Sequence, residues 1–156
     1  MKHLLVLLFS VSLFSCGGSK TVRVSKKVIK GNWMLNHVNY SESGTYNVTL
    51  LNDVEKVCFE GSTWQFIPNN NTGMYAINNV SCAVGNRNFI FTIKEINQAT
   101  GLYNFLLKPT DEKNKSQNNV GFRLNLTQLT ETSMIWEQTL TVDEKPFTIS
   151  MVFAKQ

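Results

Sequence analysis

Eight short runs in this 156-residue chain alternate apolar and polar side chains, with Gly, Asn, Ser or Pro between them, and that rhythm leaves few folds open. Successive side chains on a strand point to opposite faces. Phe122, Leu124 and Leu126 therefore fall on one face and Arg123, Asn125 and Thr127 on the other. Phe147, Ile149, Met151 and Phe153 repeat the pattern against Thr148 and Ser150. The runs cover residues 31–40, 62–68, 74–78, 88–96, 102–108, 121–127, 134–140 and 147–153. Residues 69–73 and 98–101 read as hairpin turns, Pro109 as the stop of a strand and residues 110–119 as a polar loop. One short helix is predicted over 53–59, with Asn52 as N-cap and Glu55 three residues later as its box partner. The result is an antiparallel all-β sandwich or barrel in one domain, without an internal repeat. Runs 88–96 and 102–107 are apolar on both faces, which predicts a cover over part of the outside.

The N-terminus supplies an address. Met1-Lys2-His3 is basic, residues 4–14 are almost wholly apolar, and Leu13-Phe14-Ser15-Cys16 ends the run. The run is shorter than the ~20 residues that span a bilayer, so it reads as a signal peptide. Its ending predicts a bacterial lipoprotein, with cleavage after Ser15 and lipid on Cys16. The alternative is an ordinary secretory signal cleaved near Ser15. On the first reading, residues 1–15 are signal, 16–30 a lipidated, basic and flexible tether, and 31–156 the folded domain. Gly17-Gly18-Ser19 carries no acidic run that would mark export to the cell surface. The expected location is therefore the outer membrane, facing the periplasm.

Charge follows the same division. Six of the fifteen basic residues, Lys2, Lys20, Arg23, Lys26, Lys27 and Lys30, precede Gly31, so residues 31–156 carry nine basic against eleven acidic side chains. A nucleic-acid partner is not expected of such a body. The basic tether either touches anionic lipid or is a solvated linker. Beyond the anchor, Cys58 and Cys82 form an even pair that predicts one disulfide in an oxidising compartment. No CxxC spacing or second histidine accompanies them, so no metal site is predicted, nor any cofactor. His37, the only histidine after the signal, has no nucleophile or ligand partner in the sequence. Asp111, Glu112, Asp143 and Glu144 read as solvated turn residues, and an enzyme is not expected.

Gly31-Asn32-Trp33 opens the first run, just after the tether, with Leu35 continuing the face of the tryptophan. With the signal, the Cys58-Phe59-Glu60-Gly61-Ser62-x-Trp64-x-Phe66 segment and the late strands, the chain resembles the lipocalin-like lipoproteins of Bacteroidetes-type bacteria. The resemblance covers roughly residues 30–155. It implies an eight-stranded antiparallel up-and-down β-barrel, closed at one end and open at the other, with a small apolar ligand. It also implies that Gly31 and Trp33 belong to the closed end. Lys155 stands near the place where such proteins carry an arginine over the tryptophan.

The faces nominate Phe66, Tyr75, Phe91, Phe105, Leu124, Trp136 and Phe147 as ligand-binding or, equally, as a filled core. Gln138 and Asn104 are read as inward polar groups. Two functions remain open. One is a monomeric, membrane-anchored protein that binds or carries a small hydrophobic molecule in the barrel. The other is a filled barrel serving a cell-envelope complex through its outer surface or loop 109–119.

Overall fold

The computed structural model describes residues 20–97, 102–116 and 118–156, and in it eight strands close into a barrel. The signal peptide, Cys16 and the turn 98–101 lie outside the described residues. Chain order is α1 (Lys20–Ile29), β1 (Gly31–Tyr40), β2 (Thr49–Leu50), β3 (Val54–Glu55), α2 (Lys56–Phe59), β4 (Thr63–Ile67), β5 (Thr72–Ile77), β6 (Gly85–Asn97), β7 (Leu102–Thr110), β8 (Phe122–Leu129), β9 (Ser133–Val142) and β10 (Lys145–Lys155). Strands β4 to β10 pair antiparallel in chain order, and β1 lies between β10 and β4 to complete the ring. The β2–β3 hairpin stands outside it.

Alternation builds the core. Trp33 and Leu35 of β1 point inward; the register then slips between Leu35 and His37, so that Val38 is the next buried residue and His37 is exposed. Without that bulge the period of two would have put His37 inside. The strands β4, β5 and β10 alternate buried with more open positions along their length. On β5 the alternation uses Gly73 where Phe89 of β6 needs room. A Cβ at Gly73 would lie 2.3 Å from Phe89 Cζ and 2.6 Å from the Gln65 carbonyl.

Several details depart from the sequence reading. Residues 20–29, expected as flexible tether, form α1, with Ser25 and Ile29 buried and Val22 half-buried on one helical face. That helix lies against β6 and β8. The helix expected over 53–59 is the single turn Lys56–Phe59. Asn52 is no N-cap: Leu51 and Asn52 both hold positive φ, 50° and 55°, and make the tight turn between β2 and β3. Pro109 does not stop its strand, for β7 runs on to Thr110 with Pro109 opposite Phe89. The last β8 pair is Leu107 with Phe122, so Pro109 lies where one side of β7 has no ladder to break. Asn104 pairs with Lys94 and Asn125 and shares their outward side, whereas Gln138 is on the inner face with Trp136.

The barrel thus has two covered ends. At one, α1 meets the start of β1 and the end of β10. At the other, the mouth, residues 41–62 with β2, β3 and α2 fold over the opening and bury Leu50, Leu51, Val54 and Phe59. The close fit at Gly73 is the most direct test of this packing. Gly73→Ala should cost about 2 to 3 kcal/mol of stability in urea unfolding, because neither the Phe89 ring nor the Gln65 backbone can move far. An unchanged midpoint would show that Phe89 has free space to turn into.

Candidate functional site

The lumen is crossed by aromatic rings. Trp64 of β4 meets Trp136 of β9 at 5.4 Å and Phe153 of β10 at 5.5 Å between centroids, both edge to face. Phe66, also on β4, meets Phe105 of β7 at 6.1 Å and Trp136 at 5.8 Å. Strand β4 is three places from β7 one way round the barrel and three from β9 the other, so these contacts span the interior. Phe91 stacks on Phe105 and Phe105 on Trp136, at 5.2 and 4.6 Å. Such pairs each contribute about 0.5 to 1.5 kcal/mol beyond the area they bury.

Of the residues nominated from the faces, Phe66, Phe91, Phe105 and Trp136 are brought together in this lattice. Tyr75 joins its edge, stacked on Trp64 at 4.4 Å. Leu124 is buried beside them, opposite Phe105. Phe147 lies apart, in a mouth cluster with Tyr40 and Tyr46 at 5.3 and 4.7 Å. Trp64, Phe89 and Phe153 are as central as any nominated residue. The period-two spacing of Trp64 to Phe66 and of Phe89 to Phe91 carried that information in the sequence. Inside the lattice, the fully buried Trp136 Nε1 finds no hydrogen-bond acceptor among the described residues. A buried donor in that state costs about 1 to 3 kcal/mol relative to a satisfied one.

The end covered by α1 is built from Gly31, Trp33 and Lys155. Gly31 holds φ +114°, open to glycine and strained for other residues, as the chain turns from the helix into β1. Trp33 Nε1 donates to the Ile29 carbonyl at 2.8 Å, and Lys155 Nζ donates to the Val28 carbonyl at 2.6 Å. The same ammonium sits 5.2 Å from the centroid of the Trp33 ring. Two carbonyls at the end of α1, which helix geometry leaves without internal donors, are thus capped from the barrel.

The mouth is where open space and polar chemistry meet. Asp53 of the β2–β3 turn accepts from Tyr75 Oη at 2.9 Å and from Arg87 Nε and Nη2 at 3.0 and 3.3 Å. Arg87 also donates to the Gly85 and Ala83 carbonyls, which ties the turn between β5 and β6 to the lid. The Cys58–Cys82 disulfide joins the same two regions, and Asn79 Nδ2 donates to the Val57 carbonyl between them. Beside this cluster lies a recess of about 230 Å³, lined by Leu51, Asp53, Tyr75, Arg87, Val120 and Phe122 among others. Burial, and then the neighbouring Asp53 carboxylate, push the Tyr75 phenol well above its ordinary range. His37 stands exposed on the outside of β1, and no cluster of three potential metal ligands occurs among the described residues.

No family model matches the sequence, and no curated protein matches it. The fold is similar to that of a lipocalin-like protein from Bacteroides uniformis ATCC 8492. The TM-score is 0.51 and the identity 10%, over 83% of this chain and 99% of the other. A likeness at that identity carries the fold, a lipocalin-like barrel.

Tyr75 gives the mouth a measurable signature. Its pKa is raised in the folded state, so its contribution to stability is present in full below the unfolded value of about 10 and is lost as pH rises beyond it. Tyr75→Phe should therefore flatten the decline of folding stability between about pH 10 and 11.5. Identical slopes in the two proteins would mean that the phenol ionises freely in the fold.

Proposed function

We propose that this chain is an envelope lipoprotein, anchored through Cys16 and facing the periplasm, whose barrel binds a small and mostly apolar molecule at its mouth. What supports this reading most is the recess between the β2–β3 turn and the 109–122 loop. It pairs apolar walls, Leu51, Val120 and Phe122, with a fixed polar corner, Asp53, Tyr75 and Arg87. Convergence of a few polar groups on an apolar hollow is the usual character of a small-molecule site. At about 230 Å³ the recess is below the ~300 Å³ at which pockets for drug-sized molecules begin, so the ligand is small or enters only in part.

Deeper entry would need the lid to lift and the rings beneath it to part, and Trp136 Nε1 would then offer an unused donor to an acceptor on the ligand. The role assigned is binding rather than catalysis. A second reading, a filled barrel acting as an accessory subunit through its outside, is favoured by the ring contacts that cross the lumen.

Native mass spectrometry on the mature chain purified from its own envelope separates the two. A mass excess lost on denaturation, with one recovered compound, is the expected result. Quenching of tryptophan fluorescence by that compound should weaken at least tenfold in Phe122→Ala or Leu51→Ala if the mouth holds it. A bare mass, and no fluorescence response to fatty acids, haem or quinones, would transfer the assignment to the protein-partner reading.

A further inference from the structure

We propose that α1 is a lipid-docking surface, whose outer basic face rests on the anionic headgroups of the membrane that carries the chain. The proposal builds on the reading of Cys16 as a lipid anchor. It begins from the finding that residues 20–29 are part of the folded body. The helix is fastened to the barrel by Trp33 Nε1 on the Ile29 carbonyl, by Lys155 Nζ on the Val28 carbonyl and by Lys26 Nζ on Asn71 Oδ1 at 2.5 Å. Ile29 and Ser25 are sunk against the barrel, and so Arg23, Val24, Lys27 and Lys30 are left exposed. Arg23, Lys27 and Lys30 are spaced i, i+4 and i+7, which places them along one stripe of the helix and its exit.

Length makes this stripe consequential. Three residues, 17–19, separate Cys16 from the helix, and the four steps between them reach at most about 14 Å. The start of the helix is thus held within roughly two Debye lengths of the bilayer's surface charge at physiological salt, and with the helix lying along that surface the whole stripe falls in the same range. The charges of the molecule are arranged accordingly. Glu42, Glu55, Glu112, Asp143 and Glu144 are all exposed at the mouth end, interspersed with lysines. At the α1 end Glu131 is the exposed acidic side chain among those described. An anionic surface thus attracts one end of the barrel and not the other. The exposed Val24 flanks the stripe, an apolar contact suited to the interfacial zone. Docked this way, the mouth faces away from the membrane.

The test uses the processed chain, made from the full-length gene, on vesicles of phosphatidylcholine alone or with one-third phosphatidylglycerol. Lysines are footprinted with an amine-reactive reagent and flotation is measured at 0.05 and 1 M salt, the latter screening surface charge to about 3 Å. Labelling of Lys27 and Lys30 should fall severalfold on the anionic vesicles relative to the neutral ones, while Lys113 and Lys145 at the mouth stay unchanged. The double variant Arg23→Glu/Lys27→Glu should abolish the protection of Lys30. In the Cys16→Ser chain, three basic side chains at roughly fivefold each set low-salt partition onto anionic vesicles on the order of 100-fold above neutral ones. Flotation that survives 1 M salt reads the anchor alone. If the chain floats at 1 M salt but the footprint ignores lipid charge, the anchor stands and the docking is overturned. If flotation is lost at 1 M salt yet the low-salt preference for anionic vesicles holds, the anchor fails and the docking stands.

Discussion

Closure of the barrel rests on one short stretch of β1 that must pair on both sides at once. Trp33 is opposite Trp64 of β4 on one edge and Lys155 of β10 on the other. Its ring is completely buried while its indole N–H reaches the Ile29 carbonyl and its face meets the Lys155 ammonium. A single side chain therefore ties together both strands of the seam and the helix that covers the end. A sheet with an unpaired edge is exposed to adventitious pairing; a closed ring has no such edge. Every other feature of the molecule presupposes this closure, including the aromatic lattice, which needs strands from both sides of the ring to face one another.

The interior and the mouth divide the work between them. Inside, ring meets ring across the full width, which gives rigidity and little room. At the mouth, the Asp53, Tyr75 and Arg87 cluster, the disulfide and the Asn79 hydrogen bond all join the lid to the β5–β6 turn. The lid is therefore held along one side. Leu51 is the cost of its geometry, since a bulky residue at positive φ is strained, and its burial under the lid offsets that strain. The recess lies between this fastened margin and the 109–122 loop, which carries no comparable covalent tie.

Strand positions were legible because period two survives in nearly every run, and the register follows once faces and turns are known. The disulfide was legible because, with Cys16 set aside as the anchor, Cys58 and Cys82 are left as a pair. The helix α1 was not, for its sequence, Lys-Thr-Val-Arg-Val-Ser-Lys-Lys-Val-Ile, is rich in β-branched residues with low helix propensity. Tertiary contacts, above all the two caps from Trp33 and Lys155, supply what propensity does not. Asn52 and Glu55 imitate a capping box, yet the backbone spends Asn52 on a left-handed turn because the hairpin before α2 demands it. Alternation told which side of a strand faces in, and it could not tell whether opposed rings meet. That depends on barrel radius and side-chain reach, which is why alternation alone does not choose between a hollow and a filled lumen, whereas the contacts of Trp64 and Phe66 across the ring do.

The seam also sets an order of events in time. The partner of the first barrel strand is the last strand of the chain, so hydrogen bonds from Trp33 to Tyr40 across to β10 cannot form until residues 149–155 are present. Local hairpins such as β4–β5 and β9–β10 can pair as soon as their two arms exist, whereas the ring waits for β10. Until β10 is in place the paired hairpins form an open ribbon, and the seam along β1 is what turns that ribbon into a ring.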